Sequence, residues 1–271
     1  MTCKICNSQA EKLFQLPIMS NRFTIDYFQC PTCQFIQTER PYWLDEAYSD
    51  AAITSLDVGA VTRNLELSVF CSHIFKNIFL DYKSVYFLDY GGATGMFTRL
   101  MRDKGFHFYH LDKYAQNVYA KGFELEDIMD KQKIVAVTSF EVFEHLENPI
   151  ETVKEMFSYA DTIVFSTYLQ PTNPNDLKDW WYFIPETGQH IALYHQNTFK
   201  NIAQQFDTQF FTNGTNYHIL TKNKNFKNLD TYLKPSFIQK WTRKLGSKLG
   251  FKAVTGLIQP DFEQMRQKLN N

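Results

Sequence analysis

The chain has 271 residues, enough for one large domain or a large one with a small companion; 44% are hydrophobic and 21% charged, which excludes global disorder. A net charge of −1 argues against wholesale nucleic-acid binding, and no run approaches the ~18 apolar residues of a membrane-spanning helix. The opening Met1–Ala10 segment is polar and lacks the apolar stretch of a signal peptide, so a cytoplasmic location is expected.

Four of the five cysteines fall as Cys3-Lys-Ile-Cys6 and Cys30-Pro-Thr-Cys33, two C-x-x-C pairs 23 residues apart. Two residues between cysteines let both thiolates of a tight knuckle face one ion at about 2.3 Å, and a second knuckle completes a tetrahedron. Four sulfur ligands close the coordination sphere, so a structural zinc is expected on Cys3, Cys6, Cys30 and Cys33. Disulfides are disfavoured in a chain with no export signal, and a redox dithiol needs only one such pair. Between the knuckles, Phe23–Phe28 alternates like a strand, which suits a zinc ribbon over residues 1–45. The fifth cysteine, Cys71, sits in an apolar helical stretch and reads as a small core residue.

Residues 46–80 read as a helical connector, with a helix from about Val61 to Asn77. The pattern then changes to a short apolar strand, Val85–Tyr90, followed by Gly91-Gly-Ala-Thr-Gly95 and a helix over Met96–Lys104. A strand feeding a glycine-rich turn and a helix lets backbone N–H groups approach a ligand closely. The next strand, Phe106–Leu111, ends in Asp112, 17 residues after Gly95, where a carboxylate can accept hydrogen bonds from a ribose diol. Further strands are expected at Ile134–Phe140 and Thr162–Tyr168, with a Pro149–Tyr159 helix between them. This alternation predicts an α/β fold, a doubly wound parallel sheet over residues 81–222. Its end differs, because Gln209–Thr221 carries Asn213-Gly214 between two strand-like runs, a strong hairpin signal.

These features resemble the class I S-adenosylmethionine-dependent methyltransferases. Leu88-Asp-Tyr-Gly-Gly-Ala-Thr-Gly95 is similar to their D-x-G-x-G-x-G motif, with Ala93 where the middle glycine usually stands. Thr138-Ser-Phe-Glu-Val-Phe-Glu-His-Leu-Glu-Asn-Pro149 is similar to their E-x-x-E-H segment followed by proline. Trp180-Trp-Tyr-Phe-Ile-Pro-Glu-Thr-Gly-Gln-His190 resembles the region after the fifth strand in bacterial members with an N-terminal four-cysteine module, several of which act on sugars. The resemblance implies a Rossmann-like sheet ending in an antiparallel hairpin, and S-adenosylmethionine as cofactor. It also implies that Asp89, Gly91, Gly92 and Gly95 surround the methionine end, Asp112 the ribose, and Asp127 the adenine, with Phe140 close to the sulfonium.

Methyl transfer from a sulfonium is an in-line displacement, and a hydroxyl acceptor also needs a base or a metal that lowers its pKa. Either His145, His190 or His195 serves as general base, or Glu141, Glu144 and His145 hold a divalent ion together with His190. Glu141, Glu144 and His145 stand at i, i+3 and i+4, so a helical turn would place all three on one face. His190, on the long connection after the Thr162–Tyr168 strand, is the preferred acceptor-side residue, with Glu144 and His145 beside it. Trp180, Trp181 and Tyr182 could stack on a sugar face or simply roof the core.

The last segment is electrostatically distinct: residues 222–271 carry 11 Lys+Arg and 3 Asp+Glu, a balance of +8 against −9 for the rest. Leu233, Phe237, Trp241, Leu245 and Leu249 recur every four residues, the pattern of an amphipathic helix with a cationic face. Packing of this basic tail, residues 223–271, on the catalytic domain or a second subunit is expected ahead of docking on a membrane surface or polyanion. The expected function is methyl transfer to a small acceptor, a hydroxyl of a sugar or sugar nucleotide. C-methylating relatives carry a further large C-terminal domain, which this length does not accommodate. The rival is a zinc-ribbon module that binds RNA or protein on a methyltransferase-like fold without turnover. Met1–Pro41 is nearly neutral, with 4 Lys+Arg against 3 Asp+Glu, which falls short of a polyanion footprint.

Overall fold

The computed structural model describes residues 1–49, 56–226 and 257–270. Strands β1 (Glu11–Ile18), β2 (Phe23–Gln29) and β3 (Ile36–Thr38) form an antiparallel meander. The two cysteine knuckles flanking it are built alike. In each, the residue after the second cysteine turns left-handed, Asn7 at φ 60° and Gln34 at φ 62°. In each, that residue's N–H returns to the carbonyl of the first cysteine, Asn7 to Cys3 at 3.0 Å and Gln34 to Cys30 at 2.9 Å. A fourth strand, β8 (Ala192–Leu193), comes from far along the chain and pairs with β3 in the register Ile36↔Leu193 and Gln37↔Ala192.

The main sheet contains β4 (Tyr86–Tyr90), β5 (His107–Leu111), β6 (Ile134–Phe140), β7 (Thr162–Ser166), β9 (Gln209–Thr212) and β10 (Tyr217–Thr221), in the order β5-β4-β6-β7-β10-β9. The first four are parallel, and the closing β9–β10 hairpin is antiparallel, as the sequence predicts. The hairpin turn is longer than a two-residue Asn-Gly turn. It spans residues 213–216, with Asn213 Oδ1 accepting the N–H groups of Thr215, Asn216 and Tyr217 at 2.9, 2.9 and 3.0 Å. Beyond β5 the sheet is reduced to one parallel bridge, His110 to Glu124.

Both faces of the parallel strands are covered, which explains their near-continuous apolar runs. Alternation along β4 sends Phe87 to one face and Leu88 to the other. On the Phe87 face, Cys71, Ile74 and Phe75 of the Ala60–Ile78 helix and Phe97 and Met101 of the Met96–Asp103 helix meet Phe106 and Phe108. Cys71 is thus a fully buried core residue, as expected. On the Leu88 face, Val153 and Met156 of the Pro149–Tyr159 helix and Phe199 and Ile202 of the Gln196–Gln205 helix pack over Val137, Ile163 and Phe165.

The final helix, Ile258–Asn270, reaches the body through an Arg266–Glu186 ion pair. The amphipathic pattern at Leu233, Phe237, Trp241, Leu245 and Leu249 lies outside the described residues. Among the described residues no helix is long and apolar enough to cross a membrane.

Phe87 has no solvent exposure, and its ring stacks on Phe75 and Phe108 with centroids 4.9 and 5.1 Å apart. Phe87→Ala should therefore cost about 3–5 kcal/mol, read as a lowered midpoint in urea denaturation.

Candidate active site

The glycine loop lies at the carboxyl ends of β4 and β6, on either side of which the crossovers diverge, the place where such sheets bind ligands. Its shape follows from close packing. Gly91 at φ 73° and Gly95 at φ 80° occupy the left-handed region. A Cβ at Gly92 would lie 2.7 Å from both Asp89 Oδ2 and His110 Cδ2, and one at Gly91 would lie 2.6 Å from Val142 Cγ2. Ala93, in place of the usual glycine, is also left-handed at φ 47°, a conformation costing an L-residue about 1–2 kcal/mol. Two contacts hold it there: its N–H donates to Asp112 Oδ2 at 2.9 Å, and His110 Nε2 meets its carbonyl at 2.9 Å.

Asp112 also accepts the N–H groups of Tyr114 and Ala115 at Oδ1, 2.8 and 2.7 Å away. Three of the roughly four lone-pair positions of a carboxylate are thus engaged, leaving one for a ligand hydroxyl. Asp89 lies beneath the loop, 2% exposed, accepting the hydroxyl protons of Thr98 at 2.9 Å and Thr138 at 3.1 Å. Burial pushes its carboxyl up to about 6. Phe140, half-buried at the end of β6, stands edge-on to Phe97. Asp127 is exposed, and its carboxylate accepts the Glu124 N–H at 2.8 Å in a reciprocal cap, so it faces its own turn.

A second group of polar side chains lies along the same carboxyl edge, between β6 and the long connection after β7. The turn after β6 is a short 3-10 helix, Phe143–His145, so Glu141 does not share a face with Glu144 and His145 as an α-helical turn would require. Glu141 takes φ 54°, and its carboxylate is bound by the hydroxyls of Ser166 at 2.5 Å and Tyr182 at 3.3 Å. Burial, with the neighbouring Glu144 charge, raises Glu141 to about 7. Glu144 is 1% exposed, and among the described residues neither of its carboxylate oxygens meets a hydrogen-bond partner.

Two imidazoles flank Glu144. His190 Nδ1 donates to the Tyr182 carbonyl at 2.7 Å, which leaves Nε2 unprotonated and free. His145 Nδ1 lies 3.1 Å from the Gln189 carbonyl and 3.1 Å from the Tyr48 hydroxyl, and its Nε2 is 3.9 Å from Glu144 Oε1. Burial, reinforced by His145, lowers His190 to about 4. His195, the third histidine of the sequence analysis, instead caps the Gln196–Gln205 helix by accepting the Asn197 N–H at 3.1 Å. Of the nearby aromatics, Tyr182 is buried and Trp180 packs into the core, whereas Trp181 is 64% exposed and stands edge-on to Tyr168.

The four cysteine sulfurs lie within 4.8 Å of one another, with Cys3–Cys33 at 3.6 Å and Cys6–Cys30 at 3.4 Å. Sulfurs around a tetrahedral zinc stand about 3.8 Å apart, so this donor set fits the ion and leaves no open position. The module they belong to also holds the His190 connection. The Trp43 indole N–H donates to Gly188 O at 2.8 Å, the Met19 N–H to Pro185 O at 3.1 Å, and the Thr38 N–H to Ile191 O at 3.2 Å. Trp43 and Tyr48 had no periodic signal in the sequence; their partners lie about a hundred residues or more away. Trp43→Phe keeps the ring but leaves Gly188 O without its donor. We expect a loss of about 1–2 kcal/mol in urea denaturation and faster chymotryptic cleavage at Trp180 and Trp181.

Residues 55–210 match the family model described as a methyltransferase domain. Comparison with curated protein sequences gives no match. Among solved structures, the plantazolicin methyltransferase BpumL in complex with S-adenosylhomocysteine aligns at 14% identity and a TM-score of 0.47, covering 74% of this chain and 87% of that one. The O-methyltransferase family 2 protein from Planctomyces limnophilus DSM 3776 aligns at 10% identity and a TM-score of 0.38, covering 51% of this chain and 49% of that one. The bifunctional kinase-methyltransferase WbdD aligns at 12% identity and a TM-score of 0.36, covering 58% and 39%. The chain thus spans about half the length of the Planctomyces protein, at 49%, and less of WbdD. With the family match extending over more than half of its residues, the chain belongs to the methyltransferase-domain family.

Proposed function

We propose that the protein transfers a methyl group from S-adenosylmethionine to a hydroxyl of a small acceptor, a sugar or sugar nucleotide. The observation that carries this reading is the Gly91–Gly95 loop, closed on Asp112 at the carboxyl edge of a sheet that belongs to the methyltransferase-domain family. Gly91, Gly92 and Gly95 line the methionine end, with the Asp89 carboxylate packed beneath the loop under Gly92 and held by Thr98 and Thr138. The remaining lone pair of Asp112 receives a ribose hydroxyl. Phe140 borders the sulfonium, and Asp127 shapes the turn near the adenine. The exposed face of Trp181 suits the apolar C–H face of a sugar ring.

Glu144, His145 and His190 form the centre that activates the acceptor. The transferred methyl moves in line from sulfur to oxygen, so alignment supplies most of the catalysis. The acceptor proton passes to a free imidazole Nε2, beside the Glu144 carboxylate that favours the resulting charge. Zinc on Cys3, Cys6, Cys30 and Cys33 is structural, and keeps residues 1–45 folded.

Calorimetric titration with S-adenosylhomocysteine tests the donor side: micromolar binding is expected, abolished in Gly91→Trp, where a large side chain fills the loop. Absence of binding to folded, zinc-loaded protein would sink the enzyme reading and leave a binding module. On the acceptor side, His190→Ala should keep the S-adenosylhomocysteine affinity and lower turnover on an accepted sugar nucleotide by about 10²-fold or more. Equal turnover would remove His190 from the reaction.

A further inference from the structure

We propose that Glu144, His145 and His190 bind a divalent cation, through one carboxylate and two imidazole nitrogens. Among the described residues, two groups of metal-ligating side chains converge: the four cysteines, and this one, whose donor atoms all lie within 4.8 Å of one another. The first argument is Glu144. A carboxylate that is 1% exposed with both oxygens unbonded is expensive to leave ionised without a counter-charge. Among the described residues no Lys or Arg is paired with it, and the His145 ring stands 3.9 Å away.

The second argument is the orientation of the imidazoles. Each presents its Nδ1 to a backbone carbonyl, His190 to Tyr182 O at 2.7 Å and His145 to Gln189 O at 3.1 Å. That arrangement fixes the tautomer, leaves both Nε2 lone pairs available, and is the outer-shell support that metal-bound histidines almost always have. The two rings stand nearly at right angles, 79° with centroids 5.0 Å apart, and each brings one ligand nitrogen within 4.8 Å of the other and of a Glu144 oxygen. Glu141 is outside the set, because its oxygens are held by Ser166 and Tyr182. Donors around a bound ion stand about 3 Å apart, so binding draws the three groups inward by on the order of 1 Å.

Mixed imidazole and carboxylate donors suit Mn²⁺, Fe²⁺, Co²⁺ or Zn²⁺ better than the all-oxygen preference of Mg²⁺. Three protein ligands leave positions open. An acceptor offering two adjacent oxygens can chelate there, which favours vicinal diols over isolated hydroxyls. Coordination would occupy the imidazole nitrogens, so the charge of the cation, in place of a free imidazole, would favour loss of the acceptor proton; this role rests on the methyl-transfer reading, and cation binding itself does not.

The test is titration of the zinc-loaded full chain with MnCl₂, followed by the electron paramagnetic resonance signal of free Mn²⁺. One Mn²⁺ per chain is expected in addition to the zinc. Glu144→Gln and His190→Ala should each weaken it at least about tenfold, whereas Glu141→Gln should stay within about twofold. S-adenosylhomocysteine calorimetry on every variant reports separately on folding and on the donor site. Wild-type protein that binds S-adenosylhomocysteine but no Mn²⁺ would overturn the cation site and leave the methyltransferase reading standing. Undiminished Mn²⁺ binding by folded Glu144→Gln and His190→Ala would overturn it equally. Mn²⁺ binding without S-adenosylhomocysteine binding would support the site and remove the donor reading.

Discussion

The pairing of β3 with the two-residue strand Ala192–Leu193 is the constraint on which the site depends. Two residues before that strand stands His190, and one residue before it the Ile191 N–H donates to Glu144 O at 2.9 Å. One short segment therefore joins the cysteine-bearing sheet, the turn after β6 and the candidate acceptor centre. Trp43, Met19 and Thr38 hold the same segment from the N-terminal side. The geometry of Glu144, His145 and His190 is consequently set by contacts between residues far apart in the chain, and a local segment alone could not produce it.

The two halves of the site are constructed on different physical principles. The glycine loop, the proposed donor side, is held by close packing and backbone hydrogen bonds: glycines where a Cβ would collide, Ala93 forced left-handed, and Asp112 tying the loop to the end of β5. Such a loop is preorganised to receive a ligand on its N–H groups. The proposed acceptor half is instead a buried polar cluster in which, among the described residues, both Glu144 carboxylate oxygens lie without a hydrogen-bond partner. Buried groups without partners are costly and persist where function requires them. The left-handed Glu141 at the end of β6 adds backbone strain at the same place.

Much of the fold was legible in the sequence because its strands are buried on both faces and its helices are amphipathic. Ile134–Phe140 and Pro149–Tyr159 fall where the apolar run and the Asn-Pro start indicate. The cysteine spacing foretold the two knuckles. Other features carried no such signal. A two-residue strand has no periodicity, so the pairing of Ala192–Leu193 with β3 could not be read. Helical spacing placed Glu141 with Glu144 and His145, but the 3-10 turn and the Ser166 hydroxyl draw it away. The hydrogen bonds of Trp43 and Tyr48 arise only from tertiary packing.

The central claim is that the cysteine module holds the acceptor half of the site while the parallel sheet holds the donor half. Hydrogen–deuterium exchange on zinc-loaded and chelator-stripped protein tests it most directly. Stripping should remove protection from the amides of Gly188–Leu193 while β4, β6 and β7 keep theirs. Unchanged protection at Gly188–Leu193 after zinc removal would contradict the account.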